Sequence, residues 1–112
     1  MPQARHLARE IYTEKLWAVV ERRVPPDRRP ERHAMSRLVR EDSDIGKRLG
    51  FTTEADLGLF LIALACCPSD MADGEIGRWV SDPTLDFFER RYRLKRHLHR
   101  AGVLEFNAHE SH

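Results

Sequence analysis

The residues best suited to chemistry form one run, Arg90-Arg91-Tyr92-Arg93-Leu94-Lys95-Arg96-His97-Leu98-His99-Arg100. A basic helix with an aromatic in it can track a phosphate backbone, with Arg90, Arg91, Arg93 and Arg96 as its nucleic-acid contacts. The same run also reads as a solvated helix end whose cations oppose the negative end of the helix dipole. The whole chain favours the second reading. Its 19 Lys and Arg face 18 Asp and Glu, a net +1, which argues against a nucleic-acid partner. The neutral total hides a segregation. Residues 1–50 carry twelve basic and eight acidic side chains, and residues 51–82 carry one and six. Residues 83–112 carry six and four. Such a dipolar chain suits protein docking. It also leaves open a homodimer in which the 51–82 segment of one copy meets the last helix of another.

The remaining reactive residues point to no known chemistry. His97 and His99 stand two apart and face different sides of a helix. His109 and His112, with Glu110, offer a weak ion site at most. Asp70, Asp73 and Glu75 share a polar stretch with Gly74, but the ligand order of a calcium loop is absent. Cys66 and Cys67 are adjacent, so a disulfide between them would be strained, and neither has a zinc-finger spacing. There is no GxSxG, HExxH or P-loop. The reading is no enzyme, no cofactor and no metal.

The elements that must position these groups are all helical. Leu7, Ile11, Leu16, Val20 and Val24 recur at helical spacing, predicting a helix over 4–23 that Pro25 and Pro26 stop. Pro30 suits the first turn of a second helix. Asp42 or Ser43 could restart that helix, leaving its continuity through 41–44 open. Gly50 is a natural left-handed terminator. Thr53-Glu54-Ala55-Asp56 resembles a capping box. The helix after it, from Leu57, is apolar nearly all round, as in the middle of a bundle. Gly58 would let another helix approach closely. Pro68 ends that helix and opens a polar loop. Ile76–Val80 is a short helix carrying Trp79. Asp82 caps a last helix, with Pro83 at its first position and Leu85, Phe88, Tyr92, Leu94 and Leu98 on its apolar side. Gly102 ends it. The expectation is an all-α bundle of four to five helices, a single domain over 1–102 and a short tail over 103–112.

The longest apolar run, Leu57–Cys67, is eleven residues, against about 20 for a membrane span. No apolar leader follows Met1. A cytoplasmic protein without a membrane partner is expected.

Gly50-Phe51-Thr52-Thr53-Glu54-Ala55-Asp56-Leu57, with Phe60, resembles a segment of bacterial type VI secretion effector-adaptor (effector chaperone) proteins. Ile76-Gly77-Arg78-Trp79-Val80 resembles the family's short tryptophan helix. Ser81-Asp82-Pro83-Thr84-Leu85 resembles the start of its last helix, and Ile11 to Val24 its opening element. The resemblance spans residues 5 to 95. It departs at Cys66-Cys67-Pro68-Ser69-Asp70-Met71, where the family has a glycine and an aromatic-acidic pair.

The resemblance implies a helical accessory module without the α/β lobe of the full adaptors. It also implies a non-enzymatic adaptor or co-chaperone that helps load an effector onto the spike. The partner would be an effector, its adaptor or a spike component. The contact residues would be Phe51, Glu54, Asp56, Trp79 and Phe87, with the acidic 51–82 segment steering a basic surface. The competing functions are a small nucleic-acid-binding regulator and a toxin-neutralising immunity protein.

Overall fold

The computed structural model describes residues 2–104, and the side chains of residues 7–104. The fold is all-α. Six α-helices occur among the described residues: α1 Pro2–Arg23, α2 Arg32–Arg48, α3 Glu54–Cys66, α4 Pro68–Ala72, α5 Glu75–Ser81 and α6 Phe87–Arg100. A short 3-10 turn, Pro26–Arg28, links α1 to α2. None of these helices is long and apolar enough to cross a membrane.

The apolar α3 lies at the centre, in contact with α1, α2, α4 and α6. Leu57, Phe60, Leu61, Ile62 and Ala63 are all buried there. Leu16, Val20 and Val24 of α1, Met35 and Val39 of α2, and Leu94 and Leu98 of α6 close around it. Gly58 faces α1. A methyl placed on it would lie 3.1 Å from Leu16 Cδ1, so the bare position allows the close approach. Tyr12 of α1 fixes the same contact by donating its hydroxyl to the Glu54 carbonyl at 2.9 Å. Burial, and then the Glu54 carboxylate, raise the Tyr12 phenol above its ordinary range.

Two glycines turn the chain into this core. Gly50 and Gly102 hold φ of +103° and +74°, the left-handed region where a Cβ is costly. Each ends its helix with the same pair of bonds. Gly50 N–H donates to the Lys47 carbonyl, and Phe51 N–H reaches back to Gly46 at 2.9 Å. Gly102 N–H donates to His99, and Val103 N–H reaches back to Leu98 at 2.9 Å. This is the Schellman arrangement, which satisfies carbonyls that a helix end otherwise leaves bare. It also sends the following residue inward. Phe51 is 0% exposed and Val103 is 1% exposed.

One open point is settled and three sequence expectations change. Helix α2, whose continuity through 41–44 the sequence left open, runs unbroken there. The polar loop at 68 is the short helix α4, because Pro68 takes a first-turn position and Met71 N–H closes the turn on the Cys67 carbonyl at 3.1 Å. The last helix starts later than Pro83. Asp82 spends its carboxylate on Thr84, accepting from the amide at 2.9 Å and the hydroxyl at 2.7 Å. Asp86 is the true cap, accepting from Phe88 N–H at 2.7 Å. Finally, the tail does not begin at 103, since Val103 and Leu104 belong to the core. Residues 105–112, with His109 and His112, lie outside the described residues.

Phe51→Ala should cost about 3–5 kcal/mol, the usual penalty for emptying a large aromatic site in a core. Phe88→Ala, at a surface site, should stay within about 0.5 kcal/mol. Urea unfolding followed by circular dichroism reads both, and equal costs would contradict this packing.

Candidate functional site

The adjacent pair Phe87 and Phe88 decides which surface the protein offers. Asp86 caps the helix immediately before them, so they open α6 about 100° apart around its axis. Phe87 turns inward. Its ring meets Phe51 edge-on at 5.0 Å, and Phe51 in turn lies 5.4 Å from Phe60. Phe88 turns outward and is 67% exposed. Tyr92, one turn on, is 57% exposed. Lys95, Arg96 and Arg100 continue the exposed side. The sequence stripe that put Phe88 and Tyr92 on the apolar side with Leu94 and Leu98 is therefore split. Leu94 and Leu98 face the core, and the two aromatics face out.

A groove of about 470 Å³ runs between α5 and α6 beside this face. Trp79, Ile76 and Tyr92 supply its apolar wall, Arg93, Arg96 and Arg100 its cations, and Asp70, Glu75 and Glu89 its carboxylates, with His97 also on the lining. Trp79 is half-buried, and the Arg93 guanidinium sits 5.1 Å from its ring centroid. Glu89 holds Arg93 there through its Nε at 2.8 Å. Arg91 lies over the Phe88 ring at 5.5 Å and pairs with Asp56 at 3.3 Å. Aromatics and arginines held in this way are the residue types on which protein interfaces concentrate their binding energy.

The structure distributes the sequence-predicted contact residues unevenly. Phe51 is a core residue and is shut off from any partner, because the Gly50 turn drives it inward. Phe87 is half-buried between Phe51 and Arg90. Glu54 is exposed at the start of α3, 3.7 Å from Lys15. Asp56 is occupied by Arg91. Trp79 alone of the five lines the groove. The sequence pattern puts Phe88 and Tyr92 on the apolar side of the last helix and so misses the most exposed aromatics among the described residues.

The arginines divide in the same way. The Arg90 Nη1 donates to the Leu49 carbonyl at 2.8 Å and to the Val80 carbonyl at 3.0 Å. It ties the ends of α2 and α5 to α6 and is structural. Arg91 and Arg93 are held by carboxylates of their own chain. Arg96 remains exposed on the groove wall.

At the end of the groove, His97 Nε2 meets Asp70 Oδ2 at 3.0 Å. Cys67 lies beside them, and the three ligand-type atoms are all within 4.8 Å of one another. Burial raises the Cys67 thiol, Asp70 adds to the rise, and Arg28 opposes it. The neighbouring Cys66 turns away, donating its thiol to the Arg28 carbonyl at 3.6 Å. Burial pushes Cys66 up to about 11 from its ordinary 9.0.

Comparison with family models, with curated proteins and with solved structures gives no match.

The raised thiol makes a pH prediction. In a Cys67→Ser variant the smaller Cys67 contribution is gone, but burial, the largest cause, still holds the Cys66 thiol above its ordinary 9.0. Only the thiolate alkylates. Iodoacetamide labelling of the folded protein should therefore be slow near neutrality and climb only above pH 9. In urea the climb should fall back to that of an ordinary thiol. Identical profiles in the two states would contradict the burial of Cys66.

Proposed function

We propose that this chain is a non-enzymatic protein-binding module. It acts as an adaptor or co-chaperone that helps load a bacterial type VI secretion effector onto the spike, in the cytoplasm. Two independent lines support the reading. One is the resemblance of residues 50–57, 76–80 and 81–85 to the effector-adaptor proteins. The other is the outer face of α6, and it carries the proposal: Phe88 and Tyr92 stand one turn apart, both more than half exposed, on a helix whose other side is packed in the core. Their helix is already rigid, so a partner that buries these aromatics meets only the side-chain ordering cost and not a backbone one.

The charge around this face selects the partner. Lys95, Arg96 and Arg100 flank the aromatics, so the docking surface accepts an apolar patch rimmed by carboxylates. This preference differs from that of the acidic 51–82 segment, which would draw a basic partner. Two acids of that segment, Glu54 and Asp56, already face Lys15 and Arg91.

Affinity capture with the tagged chain in its native host tests the proposal. Wild type should recover a secretion effector, its adaptor or a spike component. Truncating an interface aromatic of this kind costs on the order of 2 kcal/mol. The Phe88→Ala, Tyr92→Ala double variant should thus retain less than about a tenth of it. Recovery of no secretion component, or equal recovery by the double variant, overturns the proposal. So does salt-sensitive nucleic acid as the sole companion.

A further inference from the structure

We propose that Cys67, Asp70 and His97 form a zinc site. The fold assembles it from two distant stretches of chain. Cys67 stands just before α4, Asp70 lies in the first turn of α4, and His97 comes from the third turn of α6. Their thiol, carboxylate and imidazole atoms converge within 4.8 Å, the one such convergence of three among the described residues.

The geometry is close to what zinc requires. Zinc bonds of about 2.3 Å to sulfur and about 2.0–2.1 Å to nitrogen or oxygen put tetrahedral ligand atoms roughly 3.3–3.6 Å apart. His97 Nε2 and Asp70 Oδ2 are already 3.0 Å apart. The Cys67 sulfur lies within 4.8 Å of both, so it needs at most a small approach to reach that spacing. Two residues separate Cys67 from Asp70, which leaves both side chains on the same side of the turn that opens α4.

The donor set selects the ion. A thiolate disfavours magnesium and calcium, which take oxygen ligands, while one sulfur, one nitrogen and one oxygen suit zinc. Three protein ligands leave a fourth position for water or another donor. Asp70 and His97 also line the α5–α6 groove, which gives the ion a route in.

The site would fasten a weak element. Helix α4 has five residues and buries none of them. Among its described side chains, Asp70 reaches α6 through the His97 contact. An ion held by both would lock α4 against α6 along the groove. The proposal stands apart from the adaptor reading, since it needs no partner.

Cobalt(II) titration of the full, reduced chain tests it, because a cysteine thiolate bound to cobalt gives an intense near-ultraviolet charge-transfer band. One equivalent should develop the band, and one equivalent of zinc should erase it. The adjacent cysteines make an internal control. The band should survive in Cys66→Ser, where Cys67 is the sole thiol, and vanish in Cys67→Ser. Its apparent affinity should fall at least about tenfold in His97→Ala, since loss of even an outer-shell partner of a ligand typically costs that much. The band should be unchanged when His109 and His112 are both replaced by alanine. Absence of the band in wild type, or its loss in Cys66→Ser, overturns the proposal. Binding that disappears with His109 and His112 marks an adventitious ion only and overturns it equally.

Discussion

The structure depends on the burial of one ring, Phe51. The left-handed turn at Gly50 ends α2 and aims that ring between Phe60 of α3 and Phe87 of α6. Three separate helices are thereby indexed against a single side chain. Arg90 reinforces the arrangement from α6 by capping carbonyls at the ends of α2 and α5. Once Phe87 and Arg90 are fixed on the inside, the period of the helix leaves Phe88 and Tyr92 no choice but to face out. The surface proposed to bind a partner follows from the packing of the core.

Much of this was legible in the sequence, and the reasons are local. The all-α class follows from apolar spacing, and the ends of α2 and α6 from two glycines whose left-handed turns need no tertiary context. Thr53 was readable as a cap, and its Oγ1 does accept from Asp56 N–H at 3.1 Å. One misreading came where two local solutions compete. Asp82 and Asp86 both look like caps, and Thr84 draws Asp82 away. The reading of Phe88 is a misjudged spacing: Phe87 stands seven and eleven residues before Leu94 and Leu98 and shares their stripe, whereas Phe88 stands six and ten before them and does not. The Cys67–Asp70–His97 cluster was invisible because it is a long-range contact. Its third member is 27 residues from Asp70 and is set by the docking of α6.

The charge pattern is also redistributed by folding. The basic run of α6 looks continuous in sequence, yet Arg90, Arg91 and Arg93 are bound to carbonyls or carboxylates of the same chain. What faces outward is a shorter set, Lys95, Arg96 and Arg100, next to two aromatics. A phosphate-tracking helix would keep its arginines available. Here arginines lie over Trp79, Phe87 and Phe88 and hold those rings in place, which suits recognition of a folded surface.

The central claim is that the outer face of α6 is where a partner sits. Hydroxyl-radical footprinting of the chain, alone and in its captured complex, tests it side chain by side chain. The account predicts strong labelling of Phe88 and Tyr92 in the free protein and protection of both in the complex. Phe51 should stay unlabelled in both states, and the exposed Leu7 and Ile11 of α1 should label equally in both. Protection of Leu7 and Ile11, with Phe88 and Tyr92 still labelled in the complex, would contradict it.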